Sequence, residues 1–155
     1  MASESWIIFL LSLFSVSLVE CNELARGWGD DIGWVKLEDG LKLAKEQNKP
    51  LLLLIHKSWC GACKALKPDF AASTDIKELS SNFIMVQTQD DEEPKGDQYT
   101  PDGGYIPRVL FLDPKGKVRK EFTNKDGNQQ YKYYYPMADQ IATTMRQVVK
   151  RNGSS

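Results

Sequence analysis

The stretch Ser58-Trp-Cys-Gly-Ala-Cys-Lys64 decides the fold of this 155-residue chain. It lies where an unbroken apolar run, residues 50–55, gives way to a segment of helical composition. Residues three positions apart share a helix face, which brings their α carbons within the roughly 4.4 to 6.8 Å that a disulfide requires. Cys60 and Cys63 can therefore form and break one bond without movement of the backbone.

The two cysteines are predicted to have different roles. Cys60 would sit at the helix amino terminus, where unsatisfied N–H groups and the helix dipole stabilise an anion. Its pKa is therefore expected below the roughly 8.5 of a free thiol, which makes Cys60 the attacking thiolate. Cys63, one turn further along, is expected to be the less exposed resolving thiol that releases a bound substrate.

Three other interpretations of the cysteine pair compete with redox chemistry. A purely structural disulfide would close a very short ring and would add little loop entropy. A zinc site would have Cys60, Cys63 and His56, the sole histidine, as three ligands where structural zinc takes four. Chance spacing is the third alternative. We expect a redox pair and no metal site.

The strands around this motif predict an α/β fold with a mixed central sheet. The run 50–55 is apolar without alternation, which is the pattern of a strand buried on both faces in a parallel sheet. Further strands are predicted at 34–37, at 83–86, at 109–112 and, returning antiparallel, at 118–122.

Helices are predicted on both faces of this sheet. One begins near Leu37 and ends before Pro50, because the residue before a proline avoids the helical region. A second covers 60–81, where Pro68 should kink or break it. A third begins just after Pro136 and closes the domain.

Residues 1–21 are predicted to be a signal peptide. Their core, 6–19, is fourteen uncharged residues, whereas a membrane-spanning helix needs roughly 20 apolar ones. Cleavage after Cys21 leaves only Cys60 and Cys63, whereas a cut after Ser17 would retain Cys21 as a free thiol. A buried amino-terminal core helix is the other alternative. No second apolar run of membrane length follows, so we expect a soluble mature chain in a secretory compartment, where disulfides persist.

The remaining chain is predicted to be one domain, residues 22–151, followed by a disordered tail, 152–155. The formal net charge is −1, and the segment 1–21 contains two acidic residues and no basic ones, so the mature charge is near zero. We find no basic stripe interleaved with aromatic residues. Nucleic-acid binding is therefore not expected.

The loop 87–105 is long for a compact domain, and loops of that length are often functional. It contains the acidic run 90–93 and leads to Pro107. A charge run of this kind is usually a solvated face. The alternative is that the loop gates or selects substrates.

Three features together make the chain resemble the thioredoxin-fold family. They are Trp59-Cys-Gly-Ala-Cys63, Pro68 five residues after the second cysteine, and Ile106-Pro107 before a late strand. From the Ile106-Pro107 step alone, the alternative is an ordinary trans peptide bond with a purely structural role. In this family the late proline is cis and faces the cysteines. The resemblance implies a redox-active Cys60–Cys63 disulfide and substrate binding by Trp59, Ile106 and Pro107.

Four stretches, 56–68, 101–108, 110–114 and 131–133, make the chain similar to small endoplasmic-reticulum thioredoxin-fold oxidoreductases related to the anterior gradient proteins. This resemblance covers about 22–150. It implies a protein-disulfide reductase or oxidase of the endoplasmic-reticulum lumen, coupled to glutathione and without a bound cofactor. Its partners would be thiol- or disulfide-containing client proteins. The alternative is a client-binding or escort module of the anterior gradient type, with redox exchange secondary.

The chain departs from these families at two places. It ends Arg151-Asn-Gly-Ser-Ser155 where that group has a Lys-Asp-Glu-Leu-like retention signal. Three alternatives follow: the protein is secreted, it is retained through partners, or the sequence is truncated. Leu54 stands where ordinary thioredoxins have a buried aspartate, so slower deprotonation of Cys63, or deprotonation through water, is expected.

His56, four residues before Cys60, is a candidate modulator of the pair. The alternative is that it packs beside the strand and does not titrate with the cysteines.

The Gly-Ala dipeptide between the cysteines predicts a reduction potential of roughly −270 to −180 mV.

Overall fold

The computed structural model describes residues 22–154, so the predicted signal peptide and Cys21 lie outside the described part. The described residues form a three-stranded sheet of order β2-β1-β3. Its strands are β1, Leu51–His56, β2, Ile84–Gln89, and β3, Arg108–Leu112. Strand β2 pairs parallel to β1 and β3 pairs antiparallel, which confirms the predicted mixed sheet.

The central strand β1 is buried along all six of its residues. Its alternate side chains enter two different apolar clusters, with Leu52 and Leu54 on one face and Leu51, Leu53 and Ile55 on the other. Burial on both faces explains why the segment shows no alternation of apolar and polar residues.

Among residues 22–154, four α-helices flank the sheet: α1, Leu37–Gln47, α2, Gly61–Ala72, α3, Thr74–Ser80, and α4, Ala138–Asn152. The buried apolar side chains of α2, α3 and α4 join the cluster that contains Leu52, whereas Ala44 of α1 joins the opposite cluster. Helices on both faces are therefore confirmed. Helix α4 extends to Asn152, the first residue of the segment expected to form the tail.

The predicted helix 60–81 is divided at Ser73, not at Pro68. Helix α2 runs through Pro68, and Ser73 ends it in an extended conformation. The Ser73 hydroxyl then accepts a hydrogen bond from the Ile76 N–H at 3.2 Å and caps α3. Serine is among the preferred residues at this position, so a local cap sets the break.

The predicted strands 34–37 and 118–122 are wrong as strands, because each is reduced to a single bridge. Val35 bridges Val86 in parallel, and α1 begins at Leu37 before a ladder can extend. Val118 bridges Leu112, after which the Phe122 N–H bonds to the Arg119 carbonyl and the chain turns away.

The segment 22–33, called the lead-in below, contributes to the core. It contains a short 3₁₀ turn, Glu23–Ala25, and the fully buried Trp28. The Trp28 ring lies 5.0 Å from the ring of His56 and 5.5 Å from that of Phe70. The lead-in therefore packs against the end of β1 and against α2, the two elements that carry the cysteine motif.

Candidate active site

The two cysteines stand at the junction of β1 and α2. Cys60 is the N-cap of α2 and Cys63 lies in its first turn. The two are joined by a disulfide, with α carbons 5.2 Å apart. The Cys63 N–H donates to the Cys60 sulfur at 3.1 Å. Cys60 is 6% exposed and Cys63 1%, which is the order expected if Cys60 is the sulfur that a partner reaches.

The loop before β3 faces this disulfide. Its Ile106–Pro107 peptide bond is cis, as the resemblance implied. The Cys60 sulfur lies 3.9 Å from the Ile106 carbonyl oxygen. Trp59, the neighbour of Cys60, is 72% exposed. The predicted substrate-binding residues Ile106 and Pro107 thus lie beside the pair, and Trp59 presents a large apolar surface next to it.

A small apolar pocket of about 180 Å³ lies between the cysteine helix and the proline loop, lined by Ala62, Tyr105, Ile106, Tyr131 and Tyr134. The rings of Tyr105 and Tyr131 meet edge to face at 4.9 Å. Sequence reasoning missed this pocket. The signal that could have found it is the run of tyrosines between 131 and 135.

The tyrosine-bearing segment is fastened to the rest of the domain by polar contacts. The Tyr105 hydroxyl donates to Asp102 at 2.6 Å and accepts from the Tyr133 N–H at 3.0 Å. Buried Asn124 donates from its amide to the Tyr134 carbonyl at 3.0 Å and to the Gln140 side chain at 3.1 Å. These bonds fix the outer wall of the pocket.

The acidic run 90–93 is more than a solvated face, because three of its carboxylates have defined partners. Asp90 accepts from the Ser58 N–H at 2.8 Å. Glu92 accepts two hydrogen bonds from Arg26, at 2.5 and 3.0 Å. Glu93 forms ion pairs with Lys57 and with Arg108. The run thus connects the lead-in, the cysteine loop and the start of β3.

These contacts set the protonation of the carboxylates. The hydrogen bond from Arg26 holds the pKa of Glu92 below its usual value, against the effect of partial burial. Partial burial raises the pKa of Glu93, but hydrogen bonds from Arg108 and Lys57 outweigh it and the pKa is lowered. Both groups are therefore ionised at neutral pH.

Arg108, the residue after Pro107, has a fully buried side chain. Its guanidinium donates to the Tyr99 carbonyl at 3.1 Å, to the Tyr105 carbonyl at 2.6 Å and to Glu93 at 2.6 Å. Sequence reasoning did not assign it a role. The available signal was a charged residue at the head of an apolar strand, directly after the proline.

His56, the candidate modulator, is 1% exposed at the end of β1. Its Nε2 lies 2.7 Å from the Gln87 side-chain oxygen, while the Gln87 amide donates to the Ala25 carbonyl at 2.9 Å. Because the Gln87 oxygen accepts, neutral His56 carries its proton on Nε2. Burial lowers the pKa of His56. These contacts connect His56, through Gln87, to the lead-in. An influence of His56 on the cysteine pair stays a prediction.

Leu54, at the position where ordinary thioredoxins have an aspartate, is fully buried in the same apolar cluster as Cys63. Within residues 22–154, no group of three or more His, Cys, Asp and Glu side chains could hold a metal ion. Thioredoxin-fold oxidoreductases need no cofactor, since their cysteine pair carries the electrons. No helix in this same part of the chain is long and apolar enough to cross a membrane.

Comparison with known proteins agrees with this architecture. The sequence model of the family described as Thioredoxin-like matches residues 33–114. Anterior gradient protein 3 of Mus musculus is 43% identical over 112 residues, which are 71% of this chain and 67% of that protein. Anterior gradient protein 2-B of Xenopus laevis is 38% identical over 127 residues, covering 81% of this chain and 76% of the relative.

Solved structures share the fold at low sequence identity. A thioredoxin from Thermus thermophilus superposes with a TM-score of 0.60 at 17% identity, over 80% of this chain and 92% of its own. A disulphide isomerase from Xylella fastidiosa Temecula1 gives 0.51 at 22%, over 73% and 88%. These structures show the fold, and the family model and the sequence relatives show that the chain belongs to the thioredoxin-like family and is a homologue of the anterior gradient proteins.

Proposed function

We propose that the protein is a thiol-disulfide oxidoreductase of the secretory pathway, a protein-disulfide reductase or oxidase coupled to glutathione. One observation carries the proposal: Cys60 and Cys63 close a disulfide at the amino terminus of α2, directly opposite the Ile106–Pro107 loop. A two-cysteine pair in this position can exchange two electrons with a client and return to its starting state.

In the reducing direction, the Cys60 thiolate attacks a client disulfide. A Cys60–client bond forms, the client S–S bond breaks and one client sulfur leaves as a thiolate. The Cys63 thiolate then attacks the Cys60 sulfur and releases the second client sulfur, which closes the Cys60–Cys63 bond. Two electrons have passed to the client, and two molecules of reduced glutathione restore the pair, forming glutathione disulfide. The oxidising direction is the same sequence reversed.

The residues around the pair support both steps. The Cys63 N–H, which donates to the Cys60 sulfur at 3.1 Å, and the amino terminus of α2 stabilise negative charge on that sulfur. Trp59, Ile106 and Pro107 would hold an extended client segment against the disulfide. Leu54 leaves the buried side of the pair without a carboxylate, so Cys63 would lose its proton to water or to the client.

The compartment proposed is the endoplasmic-reticulum lumen, with secretion as the alternative. Support comes from the sequence of residues 1–21 and from a disulfide chemistry that persists in oxidising compartments. The intact Cys-Gly-Ala-Cys motif further supports a role similar to that of thioredoxin domain-containing protein 12, a two-cysteine oxidoreductase related to the anterior gradient proteins.

The test is a redox titration of protein beginning at Asn22 against a series of glutathione ratios, read by mass after alkylation. We expect a reversible transition with a potential of roughly −270 to −180 mV. A potential near roughly −180 mV would make the protein an oxidant of clients, and one near roughly −270 mV would make it a reductant. The Cys63→Ser variant should accumulate mixed disulfides with clients. Absence of a reversible transition would refute the proposal.

Client escort is the second candidate, favoured by the exposed Trp59 and by the apolar pocket that Ala62 and Ile106 help to line. In that case the protein would act by binding clients non-covalently, and thiol-disulfide exchange would be secondary. The double variant Cys60→Ser, Cys63→Ser separates the two functions. Unchanged client retention by this variant would support escort, whereas loss of retention would support covalent exchange.

A further inference from the structure

Glu93 lies between the two loops that form the redox site. One of its carboxylate oxygens is 2.8 Å from the Lys57 ammonium, and the other is 2.6 Å from the Arg108 guanidinium. Lys57 precedes Cys60 by three residues, and Arg108 directly follows Pro107. One carboxylate therefore joins the segment that leads into the cysteines to the segment that carries the proline.

The proline side of this bridge is rigid. Arg108 is fully buried, and its two remaining contacts are the carbonyls of Tyr99 and Tyr105. Tyr105 precedes the Ile106–Pro107 pair and Arg108 follows it, so the guanidinium holds the backbone on both sides of the cis bond. A buried cation in this setting requires a negative partner, because a charge without one is costly in an apolar interior.

The cysteine side of the bridge is held by the same acidic turn. The Lys57 ammonium also donates to the Asp90 carbonyl at 2.8 Å, and the Ser58 N–H donates to the Asp90 carboxylate at 2.8 Å. Two consecutive residues before Trp59 are thus fixed to the turn that carries Glu93. Loss of the Glu93 charge would leave two cations facing each other across the gap between the loops.

We propose that Glu93 is a positioning residue for disulfide exchange, which sets the separation between the Lys57–Cys60 segment and the Ile106–Arg108 segment. This inference rests on the proposed oxidoreductase function. A client segment that lies along Ile106 and Pro107 must present its sulfur to Cys60, so the spacing of the two segments controls how well such a client fits. A small disulfide that approaches Cys60 from solvent does not need that spacing.

The test compares Glu93→Gln with Glu92→Gln. Glutamine keeps the shape of glutamate but carries no charge, and Glu92 is a matched control because it pairs with Arg26, away from both redox loops. Three quantities are measured for each variant: kcat and KM for a peptide disulfide, the rate with a small aromatic disulfide, and the equilibrium with glutathione. The fold is checked by circular dichroism.

For Glu93→Gln we expect a rise of about tenfold in the peptide KM, the size of losing a charged hydrogen bond. Its rate with the small disulfide and its equilibrium constant with glutathione should stay within about twofold of the wild type, and Glu92→Gln should match the wild type throughout. An equal loss with peptide and small disulfide, or a peptide KM equal to that of Glu92→Gln, would overturn the positioning role.

A second variant keeps the test decisive if Glu93→Gln does not fold. Lys57→Met removes the partner on the cysteine side while leaving the Glu93–Arg108 pair intact, and it should show the same selective rise in the peptide KM. An unchanged peptide KM would then overturn the inference. A wild-type protein inactive with both substrates would instead refute the oxidoreductase function itself, so the two failures are distinguishable.

Discussion

Substitution of Gly40 by alanine should destabilise the protein, although alanine is the better helix former. Gly40 lies on the buried side of α1. A Cβ atom built there would be 2.5 Å from a Val86 methyl carbon, 3.3 Å from one of Leu51 and 3.4 Å from one of Val35. The first distance is too short for any real contact between carbon atoms, so Val86 or the helix must move.

Two opposing free energies decide the sign. Replacing glycine by alanine inside a helix stabilises by roughly 0.5 to 1 kcal/mol, whereas overpacking a close-packed core costs about 1 to 3 kcal/mol. Val86 and Leu51 are fully buried in paired strands, and β-branched Val86 has little rotamer freedom to escape the contact. The net loss should be about 1 kcal/mol, or about 4 °C in Tm for a domain of this size.

The measurement is a urea titration of the oxidised protein at pH 7. Gly61→Ala is the matched control, because Gly61 lies in α2 and a Cβ atom there meets nothing within 4 Å. In a Val86→Ala background Gly40→Ala should cost less than in the wild type, giving a coupling between the two sites. A Gly40→Ala protein as stable as Gly61→Ala would refute the packing argument. The equilibrium of Gly40→Ala with glutathione should equal that of the wild type, since α1 packs on the sheet face opposite the disulfide.

Three further predictions concern the site. Because burial lowers the pKa of His56, the unfolded chain binds a proton below about pH 6.5 that the folded protein does not, so the wild type should lose stability from pH 7.5 to 5.5. In urea titrations His56→Leu should reduce the dependence of the free energy of unfolding on pH. An equal pH dependence in the variant and the wild type would show that His56 does not cause it. Trp59→Ala should change the free energy of unfolding by less than about 0.5 kcal/mol, because the side chain is 72% exposed, yet raise the KM for a peptide disulfide; an unchanged KM would exclude Trp59 from substrate binding. Asn124→Ala should cost about 1 to 3 kcal/mol in urea titrations, since the Tyr134 carbonyl and Gln140 lose their donor, and should speed hydrogen exchange in residues 124–135; unaltered exchange would show that other contacts hold the segment.

The parts of the fold that depend on local pattern could be predicted from the sequence. The unbroken apolar run 50–55 indicated a central strand. The spacing of Cys60 and Cys63 at a strand-to-helix junction indicated that the two could form a disulfide. Both inferences depend only on neighbours along the chain. The break at Ser73 was harder to predict, since a serine cap competed with the more familiar signal of Pro68. The strand expected at 118–122 satisfied local alternation, but the chain turns after one bridge.

The carboxylates of the candidate site could not be assigned in the same way. The Glu92–Arg26 pair spans 66 residues, and Glu93 reaches Arg108 across 15. Sequence pattern identifies the acidic run but carries no information on such distant partners. The tyrosine pocket was missed for the same reason, because its walls come from three separate segments that only the tertiary fold brings together.

The packing of Trp28 also bears on how the domain should be cut for expression. The family match spans 33–114, but Trp28 lies before it and α4 lies after it, and both fill the core around Phe70 and the sheet. A fragment trimmed to the matched residues would expose that core and lose the Ala25 carbonyl that anchors Gln87. The stretch matched by the family model is therefore shorter than the packed domain, and expression trials should begin at Asn22 and retain all of α4.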